Sequence, residues 1–177
     1  MKQIIAAIML LAATPAAAEV KSATDAGFDI AHEAVIAAPP EDVYAALRAP
    51  GRWWNKDHSW SGDAQNLWMD AQAGGCFCET LPGKAPNASG SVEHARIIFA
   101  QPGKMLRMIG SLGPLQGEAA IGTLTFALKP VDGATVVTLT YVVGGHVRMG
   151  MKAIAAPVDG VLGEQLARLA ALFPKPE

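Results

Sequence analysis

The sequence predicts an α+β domain in which a curved antiparallel β-sheet wraps around one long C-terminal helix, with short helices after the first strand. Three observations predict it. Apolar residues recur with period two through most of the chain after Phe28, as half-buried strands require. Pro130-Val131-Asp132-Gly133 joins two such stretches as a hairpin turn. From Met151 the apolar period changes to about 3.6, with Ile154, Val158, Val161, Leu162, Leu166, Leu169 and Leu172 on one side of a helix.

The first eighteen residues read as an export signal: Lys2 gives a positive start, Ile4 to Ala13 an apolar run, and Ala16-Ala17-Ala18 a small-residue site with cleavage expected after Ala18. That run, about ten residues, is too short to cross a ~30 Å hydrocarbon core as a helix. A periplasmic protein with no stable membrane insertion after signal removal is therefore expected. Residues 19–27 read as a polar leader, 28–173 as one domain and 174–177 as a tail.

Phe28 to Ile36 alternates as a strand with Phe28, Ile30, His32, Ala34 and Ile36 on one face. Pro39-Pro40-Glu41-Asp42 then places proline and acidic groups at a helix start, where the missing N–H costs nothing and the helix dipole favours negative charge. Val43, Tyr44 and Leu47 form its buried stripe, and Pro50-Gly51 ends it. Further strands are predicted at Cys76–Leu81, Ser91–Phe99, Lys104–Ile109, Thr123–Lys129 and Ala134–Val143. Pro157 predicts a later start or a kink in the terminal helix, because it removes a ladder bond and clashes with the preceding turn.

Charged residues make up 17% of the chain and apolar types 51%, with a formal net charge of −2. That leaves ample material for a core and for apolar cavity walls. Lysines and arginines are scattered singly, so nucleic acid is not an expected partner.

All four tryptophans fall between Trp53 and Trp68, beside Asn55, Asp57, His58 and Ser59. So much indole area among polar groups suits a segment that wraps a cavity or closes its mouth. Trp53 and Trp54 can pack beneath the first helix, and Trp60 and Trp68 are the better ligand contacts. His58 beside Asp57 offers a general base with a carboxylate to fix its tautomer, against the plainer reading of a solvated loop histidine. Asp70 is another possible acid. His32, on the apolar face of its strand, suits a hydrogen-bonded wall residue better than a catalyst, and His146 suits an exposed loop better than a gate.

In an extended strand the α-carbons of Cys76 and Cys78 lie ~6.6 Å apart, near the limit for a disulfide. The spacing favours reduced, buried thiols acting as small apolar residues. A bridge is one alternative. A three-ligand metal site with His94, opposite Cys76 or Cys78 on the next strand, is another. Met105, Met108, Met149 and Met151 supply soft apolar surface to core or cavity.

The Ala37-Ala38-Pro39-Pro40-Glu41-Asp42-Val43-Tyr44 helix start, Arg52-Trp53-Trp54, and Ala73-Gly74-Gly75-Cys76-Phe77 leading a strand carry a resemblance, with Gly90-Ser91-Val92 and Glu164-Gln165-Leu166-Ala167-Arg168-Leu169. Over roughly Phe28 to Leu172 the chain resembles the START-like, or SRPBCC, superfamily, the helix-grip fold of the birch-pollen allergen type. Within it the chain is most similar to the branch of polyketide cyclases and heat-shock ATPase-activator-like proteins. The resemblance implies an apolar or amphipathic small molecule held between sheet and terminal helix, with cyclase or hydrolase chemistry in a minority of members and no transferable catalytic set. An export signal would separate the chain from a cytosolic chaperone.

A binding protein for a hydrophobic small molecule is thus expected, with a cyclase- or hydrolase-type enzyme as the alternative. The expected cavity set is Trp53, Trp54, Trp60, Trp68, Cys76, Cys78, His94, Met108 and Met151, gated by residues 53–63 and 110–117. His58, Asp57 and His32 are the candidate catalytic groups. No cofactor is expected, and no protein partner is indicated.

Overall fold

A computed structural model describes residues 19–85 and 88–174. The expected export signal and its cleavage site lie outside them. The period-two stretches form strands β1 (Glu19–Ala23), β2 (Gly27–Ile36), β3 (Leu67–Met69), β4 (Cys76–Leu81), β5 (Gly90–Gln101), β6 (Met105–Gly110), β7 (Ala119–Val131) and β8 (Ala134–His146). They make one curved sheet in the order β1-β2-β8-β7-β6-β5-β4-β3, each neighbouring pair antiparallel.

The β7–β8 hairpin closes where the sequence places it. Asp132 and Gly133 both take the left-handed conformation, φ 47° and 81°, which the favoured two-residue hairpin turn demands. Both strands run further than the pattern suggests, to Ala119 and His146. The stretch expected to be a leader contains β1, which pairs with β2 through a bulge between Val20 and Ser22.

Helix α1 (Pro40–Leu47) has Pro40 in its first turn with Glu41 and Asp42, and buries Val43, Tyr44, Ala46 and Leu47. The chain must travel from β2, beside one edge of the sheet, to β3 at the other edge. It does so through α1 and three short 3₁₀ turns at Pro50–Arg52, Lys56–His58 and Ala64–Asn66. This crossover carries the tryptophans.

Helix α2 (Met151–Ala170) continues through Pro157 and packs chiefly on β2 and β1. The expected later start at Pro157 does not occur. Its buried stripe includes Ile154, Leu162, Leu166 and Leu169, whereas Val158 and Val161 are only half-buried. Those two face an internal space. The core joins Phe28, Ile30, Phe77, Leu106, Phe126, Leu139 and Tyr141 of the sheet to that stripe.

Candidate functional site: a cavity between sheet and helix

The crossover seats its first two tryptophans inside the molecule. Trp53 meets Trp54 edge-on at 5.5 Å and Phe126 at 6.2 Å, and Trp54 meets Phe77 at 5.1 Å. Phe77 lies 4.9 Å from the ring of His94. The series runs from β7 to β5 and builds a rigid wall, since each such pair adds about 0.5–1.5 kcal/mol beyond its area burial.

Against this wall lies a cavity of about 290 Å³. Ile154, Pro157, Val158, Val161 and Leu162 of α2 form one side, Trp54 and His94 another, and Leu112, Gly113 and Pro114 of the β6–β7 connection a third. Asp57, His58, Ser59 and Trp60 stand at the mouth. Trp60 is 56% exposed. Its indole N–H donates to Gln116 Oε1 at 3.1 Å, and Gln116 Nε2 donates to the Glu93 carbonyl at 2.9 Å. The tryptophan segment and the β6–β7 connection, the two stretches expected to gate the cavity, are thus joined across the mouth.

One charged group is buried behind the wall. Glu79 on β4 has no solvent exposure. Its carboxylate accepts the backbone N–H of Trp60 at 3.0 Å, that of Ser61, and a hydrogen bond at 2.9 Å from Nε2 of His94. Burial raises the Glu79 pKa, but the hydrogen bonds from Ser61, Trp60 and His94 outweigh it and hold the carboxyl below its ordinary value. Burial also lowers the His94 pKa, against the opposing pull of Glu79. The pair is therefore a carboxylate and a neutral imidazole at pH 7. A carboxylate can only accept, so Nε2 carries the His94 proton.

Stability should consequently fall on acidification in two steps. The folded-state pKa of His94 lies below its unfolded value of about 6.5, so the unfolded chain takes up that proton first and stability drops as pH falls below this value. Glu79, also lowered on folding, adds a loss in the same direction once pH falls through its unfolded range near 4.5. Urea midpoints between pH 7.5 and 5 would show the first step, and His94→Gln should flatten it. An unchanged slope in that variant would assign the step elsewhere.

At the mouth, Nε2 of His58 lies 3.2 Å from Glu164 Oε2 on α2. The carboxylate beside His58 in space is thus Glu164, not the expected Asp57. Asp57 pairs with Lys56 at 2.6 Å, and that hydrogen bond chiefly lowers its pKa.

No protein-family model matches the chain, and no curated protein matches it. Solved structures do resemble it. Protein MLL2253 of Mesorhizobium loti aligns with a TM-score of 0.58 at 17% identity, over 81% of this chain and 95% of that one. Protein CV1439 of Chromobacterium violaceum gives 0.55 at 20% identity, over 83% and 98%. Ms6760 of Mycobacterium smegmatis gives 0.56 at 13% identity, over 93% and 98%. The likeness is one of fold.

Of the expected cavity set, the structure brings together Trp54, Trp60 and His94. Trp53 is buried in the core instead, as are Met108 and Met151. Trp68, 47% exposed, sits on β3 directly opposite Cys78. By strand alternation both cysteines occupy the face of β4 opposite to Phe77 and Glu79, which removes them from the cavity lining.

The cysteines require a second correction: Cys76 and Cys78 are joined by a disulfide, not free. Their α-carbons are 5.5 Å apart, closer than in a regular strand and inside the range a bridge needs. The facing strand carries a bulge at this point. Phe77 pairs with Ala95 but Cys78 with Glu93, so His94 is an extra residue on β5 that sharpens the local twist. Bridged sulfurs cannot serve as thiolate ligands, which removes the Cys76, Cys78, His94 metal alternative. No metal-binding cluster of three such side chains occurs among the described residues.

His32 is a buried wall residue on β2. It bonds the Asp159 carbonyl of α2 at 3.1 Å, with Asp159 Oδ1 2.9 Å away but poorly directed for a second bond. Asp70 accepts from Gln72 within its own turn, and His146 is exposed at the end of β8; neither lines the cavity. Glu79 and Glu164 were missed by sequence reasoning. Glu79 had a signal: it is in phase with Phe77 and Leu81, a carboxylate on a strand's apolar face.

Proposed function

We propose that this protein binds a compact apolar or amphipathic small molecule in the cavity between sheet and helix α2. The observation that carries this reading is the cavity itself, with a five-residue apolar wall from α2 and a tryptophan at the mouth. Its volume, about 290 Å³, lies at the small end of ligand sites, which run from about 300 to 1,000 Å³. The START-like resemblance belongs to the same proposal: the order of elements and the place of the cavity support it, and the solved relatives support the fold alone.

Export to the periplasm also belongs to the proposal. The amino-terminal pattern supports it, and the Cys76–Cys78 disulfide suits an oxidising compartment. Mass measurement of the mature protein recovered from periplasm should place its first residue at Glu19; an intact Met1 start in the cytosolic fraction would refute export.

Native mass spectrometry of the gently purified protein tests binding. Excess mass that disappears on denaturation is the expected result, and its absence at every loading would argue against stable carriage. Trp60→Ala should weaken binding of an apolar probe such as 2-naphthol about tenfold, as loss of an aromatic contact worth about 1–2 kcal/mol implies. Its fold stability should stay within about 0.5 kcal/mol, as for other exposed sites. Unchanged affinity by calorimetry would remove Trp60 from the site.

A further inference from the structure

We propose that the cavity is also a proton-transfer site, in which Nδ1 of His94 is the base, Glu79 is the residue that positions it, and the substrate is a compact, mostly apolar carbon acid. This rests on the binding reading above, since the substrate must enter the same space.

The geometry has three parts. The Glu79 carboxylate is saturated by two backbone N–H groups and Nε2 of His94, so the lone pair of the neutral ring is fixed on Nδ1. Phe77, tilted 33° to the imidazole at 4.9 Å, holds the ring plane. His94 lines the cavity, and Nδ1 has no hydrogen-bond partner among the described residues. A carboxylate orienting an imidazole that lines an apolar space, with its second nitrogen unengaged, is the arrangement a general base requires.

The surroundings select the reaction class. The hydroxyl of Ser59 already donates to the Lys56 carbonyl, at 2.7 Å, and the cysteines are bridged, so the lining presents no activated nucleophile. No lysine or arginine lines the space to hold an anionic substrate. Other titratable groups reach it only at the mouth, where Asp57 is paired with Lys56 and His58 with Glu164; the α2 wall is entirely apolar. What remains is chemistry that a base performs alone on a neutral molecule. His94 Nδ1 takes a proton from carbon beside a carbonyl, and the C–H electron pair moves onto the carbonyl oxygen as an enolate. The imidazolium then returns the proton to the same or a conjugated carbon. Nothing else is consumed.

The full-length protein can be tested with 5-nitrobenzisoxazole. Removal of its C–H proton sends the electron pair into a nitrile as the N–O bond breaks, leaving a coloured phenolate, and the proton passes from His94 to water. The protein should accelerate this above an equal concentration of free imidazole. His94→Gln should lose about 100-fold in kcat, within the usual range for a positioned base, and 2-naphthol binding by the unmodified protein reads the cavity separately. In the unmodified protein the rate should rise with pH and level off at lower pH than with free imidazole, and Glu79→Gln should shift that profile as well as lower it. Nitrogen NMR at pH 7 should find the His94 proton on Nε2. Binding of 2-naphthol with a rate indifferent to His94, or a proton on Nδ1, would overturn the inference and leave the binding reading standing. Failure to bind 2-naphthol together with absent turnover would overturn both.

Discussion

Glu79→Ala should destabilise the fold by about 3–5 kcal/mol, because it leaves three hydrogen-bond donors without their acceptor. The residue is wholly buried, and its loss strands the N–H groups of Trp60 and Ser61 together with Nε2 of His94. Each orphaned donor would bear a desolvation penalty of about 1–3 kcal/mol where water cannot reach it. Glu79→Gln, which retains one acceptor oxygen, should cost less. Urea unfolding of the two variants at pH 7 checks both the size and the order. Equal, small losses would mean that the carboxylate does not anchor the 60–61 segment.

Gly122→Ala should cost about 3 kcal/mol, at the upper end for overpacking. A β-carbon there would stand 2.3 Å from Cε2 of Tyr141 and 2.7 Å from its hydroxyl. The ring cannot retreat. It is fully buried, meets Phe28 edge-on at 6.4 Å, donates to the Gly110 carbonyl at 2.9 Å and accepts the Leu112 N–H at 3.3 Å. Burial pushes its pKa up to about 12, so the hydroxyl remains a donor across the working pH range. The gain from replacing a strand glycine, about 0.5–1 kcal/mol, cannot offset the clash. In a Tyr141→Leu background the same change should cost much less; an equal cost in both backgrounds would place the strain elsewhere. Because Leu112 lines the cavity, the Gly122 variant should also loosen ligand binding.

What the sequence made legible follows the range of the interactions. The β7–β8 hairpin and helix α2 are written in local periods and turn chemistry, and both form where those signals fall. β1 was not recognised because a bulge interrupts its alternation, whereas Trp68 alternating with Leu67 and Met69 is compatible with the strand that β3 forms. The candidate site was harder still. Whether His94 faces Glu79 or the cysteines depends on one extra residue in the β4–β5 register, and nothing within either strand announces it. Trp53 and Trp60 are indistinguishable by composition, yet the turn at Pro50–Arg52 sends one into the core while the other is left at the mouth.

The tryptophan segment is also fastened to the far half of α2. The Asn55 N–H donates to Gln165 Oε1 at 2.7 Å, its side-chain amide to Glu164 Oε1 at 2.6 Å, and Arg168 Nε to the Trp53 carbonyl at 2.8 Å. With the His58–Glu164 contact, these bonds join positions more than a hundred residues apart in the chain to little more than one turn of helix. Opening the mouth on that side means parting these bonds, so it is a sub-global event rather than the swing of a free loop. The residence time of anything inside and the hydrogen-exchange protection of residues 164–168 therefore share a barrier, and the two should lengthen or shorten together.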